Sequence, residues 1–290
     1  MRSRSRSGLA ILIAGLVLAP VTGAAQSAEI VPDIVYGHKD GMALTFDVLR
    51  PTANANGAAV LYMVSGGWFS RYTAPEATAT RFEDLLAEGF TVFAVRHGSS
   101  PRYVIPEIVA DVRQAVRFIR HNADQWGVDP VRLGAFGGSA GGHLALMLGN
   151  ASDEGDPSAS EEFMREGNRI ASVVAYFPPV DLRRIARGAD GSSDTRFPAL
   201  NFDRDIAPEY SPIVHVSPDD PPTLLIHGDA DDLVNVSNSE TIHAAFQEHD
   251  VRTEMIIIPG AGHGFRGEDA ERANAAMIDW FKQTLADDDP

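Results

Sequence analysis

The sequence contains no cysteine, so disulfides, thiolate metal sites and a cysteine nucleophile are all excluded. Positive charge is scarce. Lysine and arginine number 24 against 40 aspartate and glutamate, a formal net charge of −16. After the N-terminus no basic patch stands out, which argues against nucleic acid and anionic lipid surfaces as partners. Long apolar runs are also missing. The longest near the N-terminus, Leu9 to Ala19, has 11 residues, and a bilayer span needs about 20. Neither internal repeats nor low-complexity segments occur.

That short run follows Arg2, Arg4 and Arg6 and precedes small residues, with Gly23-x-Ala25 or Ala25-x-Ser27 as cleavage sites. Residues 1–25 therefore read as a secretory signal rather than a membrane anchor. With no cysteine and no adjacent arginines, lipoprotein and twin-arginine export are not indicated. Cleavage takes away three arginines and leaves −16 − 3 = −19. The expected destination is secreted or periplasmic, with no stable membrane insertion.

Residues 30–286 read as one domain. Val31 to Tyr36 and Leu44 to Leu49 form a strand pair around a Lys39-Asp40-Gly41 turn. Apolar runs at Ala58–Val64, Thr91–Val95, Leu133–Phe136, Val173–Phe177, Thr223–His227 and Arg252–Ile258 read as further strands. Helical spacing covers Ala77–Glu88, Pro106–Asn122, Val236–His249 and Glu268–Leu285. In the second of these, Ile108, Val112, Ala115, Val116 and Ile119 share one face, and Arg113 and Arg120 lie opposite. The alternation predicts an α/β fold with a mainly parallel central sheet covered on both faces. From 178 to 222 periodicity fades, which marks a lid or binding-loop insertion. Ligands in such sheets bind at the carboxyl ends of the strands.

The pattern G-x-S-x-G at Gly137, Ser139 and Gly141 lies between a strand and an apolar helix. A serine on that corner is held in a strained geometry with its hydroxyl above the sheet, and the helix dipole favours a developing oxyanion there. A serine hydroxyl needs a base, and the base an orienting carboxylate. Of nine histidines, His263 is the preferred base, on a glycine-rich loop after the last strand. His143, one turn beyond Ser139, is expected to pack or cap structure. His227 is expected to bond backbone in the acidic loop, and His97 to line the pocket. Asp229, Asp231 and Asp232 all lie past one strand end, and spacing does not choose among them. Three such acids also suit a divalent metal, but no second acidic cluster completes that site, and no metal or organic cofactor is implied. Two oxyanion donors are expected: the N–H of Ala140, and one from the Ser65-Gly66-Gly67-Trp68 turn, with Trp68 favoured and Gly67 the alternate.

In the order SGGW (65–68), GGSAGGHLA (137–145), EYSPIVHV (209–216), HGDADDLVNV (227–236) and GAGHGF (260–265), the chain resembles the esterase/lipase group of the α/β-hydrolase superfamily. That group includes hormone-sensitive-lipase-like and acetylxylan- or feruloyl-esterase-like enzymes. The resemblance spans about residues 40 to 285. It implies an α/β-hydrolase fold, a nucleophile at Ser139, a base at His263 and, by the H-G-x-x-D-x-x-V pattern, the carboxylate at Asp231. The chain departs from the group at Ser65, where a histidine is usual, and at Val95-Arg96-His97-Gly98, where many relatives carry Tyr-Arg. The expected activity is a secreted serine hydrolase of carboxylic esters, with a small-molecule or carbohydrate ester as substrate. Trp68, His97 and Tyr210 are expected in the substrate pocket, with Phe197 and Phe202 as further walls. The alternatives are a serine peptidase of prolyl-oligopeptidase type, though the segment before the fold is too short for a propeller, and a non-catalytic hydrolase-fold binding protein.

Overall fold

A computed structural model describes residues 28–187 and 195–286. The expected signal, residues 1–25, lies outside them, as does part of the expected 178–222 insertion. Eight strands form one sheet in the order β1-β2-β4-β3-β5-β6-β7-β8. β1 (Ala28–Lys39) and β2 (Met42–Pro51) make a long antiparallel hairpin, and β2 is antiparallel to β4 (Thr91–Val95). From β4 onward every pairing is parallel, through β3 (Ala59–Met63), β5 (Leu133–Gly138), β6 (Ser172–Tyr176), β7 (Thr223–Gly228) and β8 (Thr253–Ile258). The continuous apolar runs are the strands buried on both faces, as expected, except β8, which lies at the sheet edge and is mostly half-buried.

Two hydrophobic clusters fill the two faces. On one, α3 (Ile105–His121), α4 (Ala140–Asn150) and α5 (Ser237–Glu248) cover Leu61, Phe93, Ala135 and Leu225. On the other, α1 (Pro75–Arg81), α2 (Glu83–Ala87) and α6 (Glu268–Thr284) cover Val60, Phe136, Val174 and Leu224. All of α4 is buried, consistent with its apolar composition on every side. Every expected inward residue of α3 is buried, and α6 buries Ala273, Met277, Trp280 and Phe281.

Two local expectations need correcting. The helix expected over Ala77–Glu88 is broken at Phe82 (φ −112°, ψ 24°), whose ring seats between Tyr62 and Phe136. Arg113 and Arg120 on α3 are not a solvated face. Together with Arg117 they donate to carbonyls of the segment 130–169, including Ala151, Glu166, Gly167 and Arg169, and Arg117 also pairs with Asp153. The described part of 178–222 carries 3₁₀ turns at Leu182–Arg184, Pro198–Leu200, Arg204–Tyr210 and Pro212–His215, and Leu182, Leu200 and Ala207 join the core. It is a wall built into the domain.

Candidate active site

The elbow is where β5 and α4 come closest. A Cβ on Gly137 would lie 2.6 Å from the Gly141 carbonyl carbon, and one on Gly141 would lie 2.9 Å from the Met63 carbonyl oxygen. Only hydrogen fits at either position. Between them Ser139 takes φ 55° and ψ −119°, donates its N–H to Tyr176 O at 2.9 Å and accepts from His143 N at 2.9 Å. Ala140 opens α4, so its N–H has no intrahelical acceptor.

Seven non-glycine described residues have positive φ. Four are Asp33, Asp40, Asn54 and Asp250, the types that tolerate it. The other three are Trp68 (φ 61°), Ser139 and Phe177 (φ 38°), and all three line this site.

Asp231 sits in the turn after β7. Its Oδ1 accepts from the N–H groups of Leu233 and Val234, both at 2.9 Å, and its Oδ2 accepts from His263 Nδ1 at 2.7 Å. Burial pushes its pKa up, but the Val234 N–H, His263 and the Leu233 N–H outweigh it, so the carboxyl is held below its ordinary range. Because Nδ1 donates to Asp231, Nε2 is left as the acceptor. The neighbouring acids do other work: Asp229 accepts from Gly260 N at 2.6 Å, tying the β7 and β8 ends together, and Asp232 is exposed. His227 donates to Val234 O at 2.8 Å, the backbone bond expected of it, and accepts from Ser239 Oγ at 2.8 Å. Phe177 packs against the imidazole and against the elbow strand. Its ring lies 4.7 Å from the His263 ring, and a Cβ on Gly138 would touch it at 3.0 Å. No direct Ser139–His263 hydrogen bond is present among the described residues.

Gly66 and Phe69 exchange both backbone hydrogen bonds at 3.0 Å, which closes the 65–69 turn. The N–H groups of Gly67 and Trp68 inside it have no acceptor among the described residues. Trp68 then runs its indole N–H to His143 Nδ1 at 3.3 Å, and His143 Nε2 donates to Tyr210 O at 2.8 Å. His143 is fully buried, which drives its pKa down to about 4 and keeps it neutral.

A cavity of about 160 Å³ opens beside Ser139, lined by Gly67, Trp68, Ile185, Phe197, Leu200 and Leu233 among others. Three residues expected in its wall lie elsewhere. His97 is buried and bonded to Ser65 Oγ and Gly98 O, both at 2.9 Å. Tyr210 gives its carbonyl to His143 and sets its ring against Phe202, 5.9 Å away, which occupies that third expected wall residue as well. Behind Phe177 lies a second cavity of about 250 Å³, walled by Tyr62, Phe82, Phe136, Tyr176 and Phe265, with Arg81 at its rim. Sequence reasoning missed Phe177. Its only signal was its place at the end of the expected strand Val173–Phe177, one residue past the observed β6.

An eight-stranded, mostly parallel sheet with a serine elbow and a strand-end Asp–His pair defines an α/β-hydrolase. The chain belongs to the BD-FAE family, whose pattern matches residues 46–246, and residues 208–285 also match the dienelactone hydrolase family. Esterase LipQ of Mycobacterium tuberculosis (strain ATCC 25618 / H37Rv) is 28% identical over 80% of this chain and 56% of its own. The probable carboxylic ester hydrolase LipM of the same organism is 28% identical over 71% of this chain and 49% of its own. The chain thus spans about half the length of these curated relatives. Among solved structures, a "truncated form of carbohydrate esterase from gut microbiota" superposes with a TM-score of 0.73 at 26% identity, covering 90% of this chain and 98% of that one. The propionate-bound esterase Est2 of Thermogutta terrifontis gives 0.73 at 25% identity, covering 91% and 96%.

Proposed function

We propose that the protein is a serine carboxylic-ester hydrolase that works through an acyl-enzyme, with Ser139 as nucleophile, His263 as base and Asp231 as its orienting acid. The observation that carries this is the 2.7 Å Asp231–His263 bond at a strand end neighbouring the left-handed serine of the elbow. Asp231 fixes the imidazole with Nε2 as acceptor. Nε2 takes the Ser139 proton as Oγ attacks the acyl carbon, and returns it to the leaving alcohol oxygen. Water then repeats the sequence on the acyl-enzyme. The N–H of Ala140 and the unpaired N–H groups of Gly67 and Trp68 supply the oxyanion donors. The Ser139–His263 bond that this requires forms with substrate in place, as catalytic bonds often tighten only in the complex.

The acyl group occupies the 160 Å³ cavity, because that cavity borders both Ser139 and the oxyanion turn. Its size suits a short acyl chain. The propionate in the Thermogutta structure and the carbohydrate esterase neighbour support short-acyl esters of carbohydrates as substrates. Export through residues 1–25 gives access to such polymers. Mass spectrometry of protein recovered outside the cytoplasm should find a new N-terminus near Ala25 or Ser27; an intact Met1 there would refute cleavage, and no protein outside the cytoplasm would refute export.

With a nitrophenyl acetate, wild type should show a burst of nitrophenol followed by slower turnover. Ser139→Ala should abolish both, lowering kcat by up to about 10⁶-fold, and Asp231→Asn should cost about 10⁴-fold. Turnover by Ser139→Ala at the wild-type rate would refute the assignment.

A further inference from the structure

The geometry points to Ser65 and His97 as a positioning pair that holds the Gly67 and Trp68 N–H groups in register with the oxyanion formed at Ser139. This rests on the esterase reading and goes beyond it, because neither side chain touches the reacting atoms.

The turn from 65 to 69 needs outside support. Trp68 sits at φ 61°, a strained conformation for a bulky residue, and Gly67 beside it is also left-handed at φ 58°. The internal Gly66–Phe69 pair closes the turn but does not fix its orientation over Ser139. The loop 97–100 does. His97 Nε2 lies 2.9 Å from Ser65 Oγ, His97 N donates to Ser70 Oγ at 3.3 Å, Ser70 N donates to Ser99 Oγ at 3.1 Å, and Ser100 N donates to Trp68 O at 3.1 Å. Four hydrogen bonds therefore lace one loop to the other, with the Ser65–His97 bond at the point where the chain leaves β3.

The direction of that bond is determined. Gly98 O is only an acceptor, so His97 Nδ1 must carry the hydrogen, at 2.9 Å, and Nε2 must accept from the Ser65 hydroxyl. The imidazole is itself anchored, because Gly98 N donates to Asp111 Oδ2 at 2.8 Å and Asp111 is held by Lys39 Nζ at 2.6 Å. Burial drives the His97 pKa down to about 4, so the acceptor persists at neutral pH. On its inner side, the Ser65 carbonyl stands close to Gly141 on α4, 3.4 Å from where a Cβ there would be. Ser65 thus connects the turn to the elbow helix through its backbone and to the second loop through its hydroxyl. The position where this chain lacks the usual histidine receives an imidazole from another strand end.

The test is a double-mutant cycle on nitrophenyl acetate hydrolysis, with melting temperatures in parallel. Ser65→Ala and His97→Leu should each lower kcat about tenfold, less than the 10²- to 10³-fold of losing an oxyanion donor outright, while KM stays within about twofold. The double variant should fall no further than the worse single one, as expected for two ends of one interaction. Ser65→Thr, which keeps the hydroxyl, and His97→Gln, which can present an acceptor, should recover most of the loss. Should His97→Leu fail to fold, the comparison of Ser65→Ala with Ser65→Thr still decides. Wild-type kcat in Ser65→Ala, losses that multiply in the double variant, or a rise in KM at unchanged kcat would each overturn the inference. If Ser139→Ala is inactive while Ser65→Ala is unaffected, this inference fails and the esterase reading stands.

Discussion

At the scale of single residues, Phe177 lies beside the candidate base and lines the 250 Å³ cavity. Its ring is 4.7 Å from the His263 imidazole, and its other neighbours, Phe265 and Tyr176, wall that cavity. In the proposed mechanism the alcohol leaves from the His263 side, because His263 returns the proton to it. Removing the ring in Phe177→Ala should therefore join that cavity to the alcohol side. The expected result is a rise in kcat/KM for aryl or bulky alkyl alcohol esters relative to methyl esters of the same acid, by about tenfold, the scale of a hydrophobic pocket gain. An unchanged ratio would show that the ring does not bound the alcohol site. The main site residues were legible in the sequence because their chemistry demands particular types at strand ends: the Ser139 elbow, the His263 loop and the acidic turn. The choice of Asp231 over Asp229 and Asp232 came from family resemblance, since all three have the same chemistry and adjoin the same strand. Phe177 and His97 could not be given their roles, and His143 was legible as a packing residue but not by its partners. Each role depends on which ring faces which loop across the chain, as when Trp68 meets His143 over a separation of 75 residues.

At the scale of elements, the contact between β3, β5 and α4 is set by hydrogen atoms where other residues carry side chains. Gly141→Ala would push a methyl to 2.9 Å from Met63 O, a backbone atom that cannot swing aside. A destabilisation of about 1–3 kcal/mol is expected, together with a fall in kcat as the oxyanion turn is displaced. Gly66, whose Cβ would meet nothing within 4 Å, is the control, and its alanine variant should unfold in urea within about 0.5 kcal/mol of wild type. The elements most legible beforehand were α3 and α6, long helices with a single apolar stripe. The helix broken at Phe82 misled because its spacing is helical on both sides of a ring that tertiary packing pulls inward. The 3₁₀ turns between Leu182 and His215 have no periodicity of their own. The core under them fixes their shape, as Leu182, Leu200 and Ala207 illustrate.

At the scale of the whole molecule, an acidic chain that buries neutral imidazoles has a definite acid response. His97 and His143 each have pKa values pushed by burial to about 4, against about 6.5 in the unfolded chain. Between those values the unfolded state binds more protons, so stability is complete above about pH 6.5 and is lost as pH falls toward about 4, by about 1.4 kcal/mol per pH unit for each histidine. Asp220, raised by burial to about 6, acts in the opposite sense and offsets part of this. Asp231 and Asp153, held below their ordinary values, add their loss only below about pH 4. Urea unfolding across this range should show the decline. The slope in His143→Gln should be shallower than wild type by about 1.4 kcal/mol per pH unit at its steepest, and an equal slope would mean His143 is not titrating with unfolding.

If Ser139 is the nucleophile proposed above, the three left-handed residues around the site, Trp68, Ser139 and Phe177, set heat resistance against turnover. Ser139→Gly leaves the elbow's shape intact and relieves its backbone, so the dead protein should melt above the live one by about 2–4 °C, corresponding to about 1 kcal/mol in a domain of this size. Scanning calorimetry of the two would reveal it, and an equal or lower melting point would indicate that the elbow carries no such cost. A laboratory selection that rewards thermal endurance alone would then favour variants relaxed at these three positions, and would accumulate sturdy chains that no longer cleave esters.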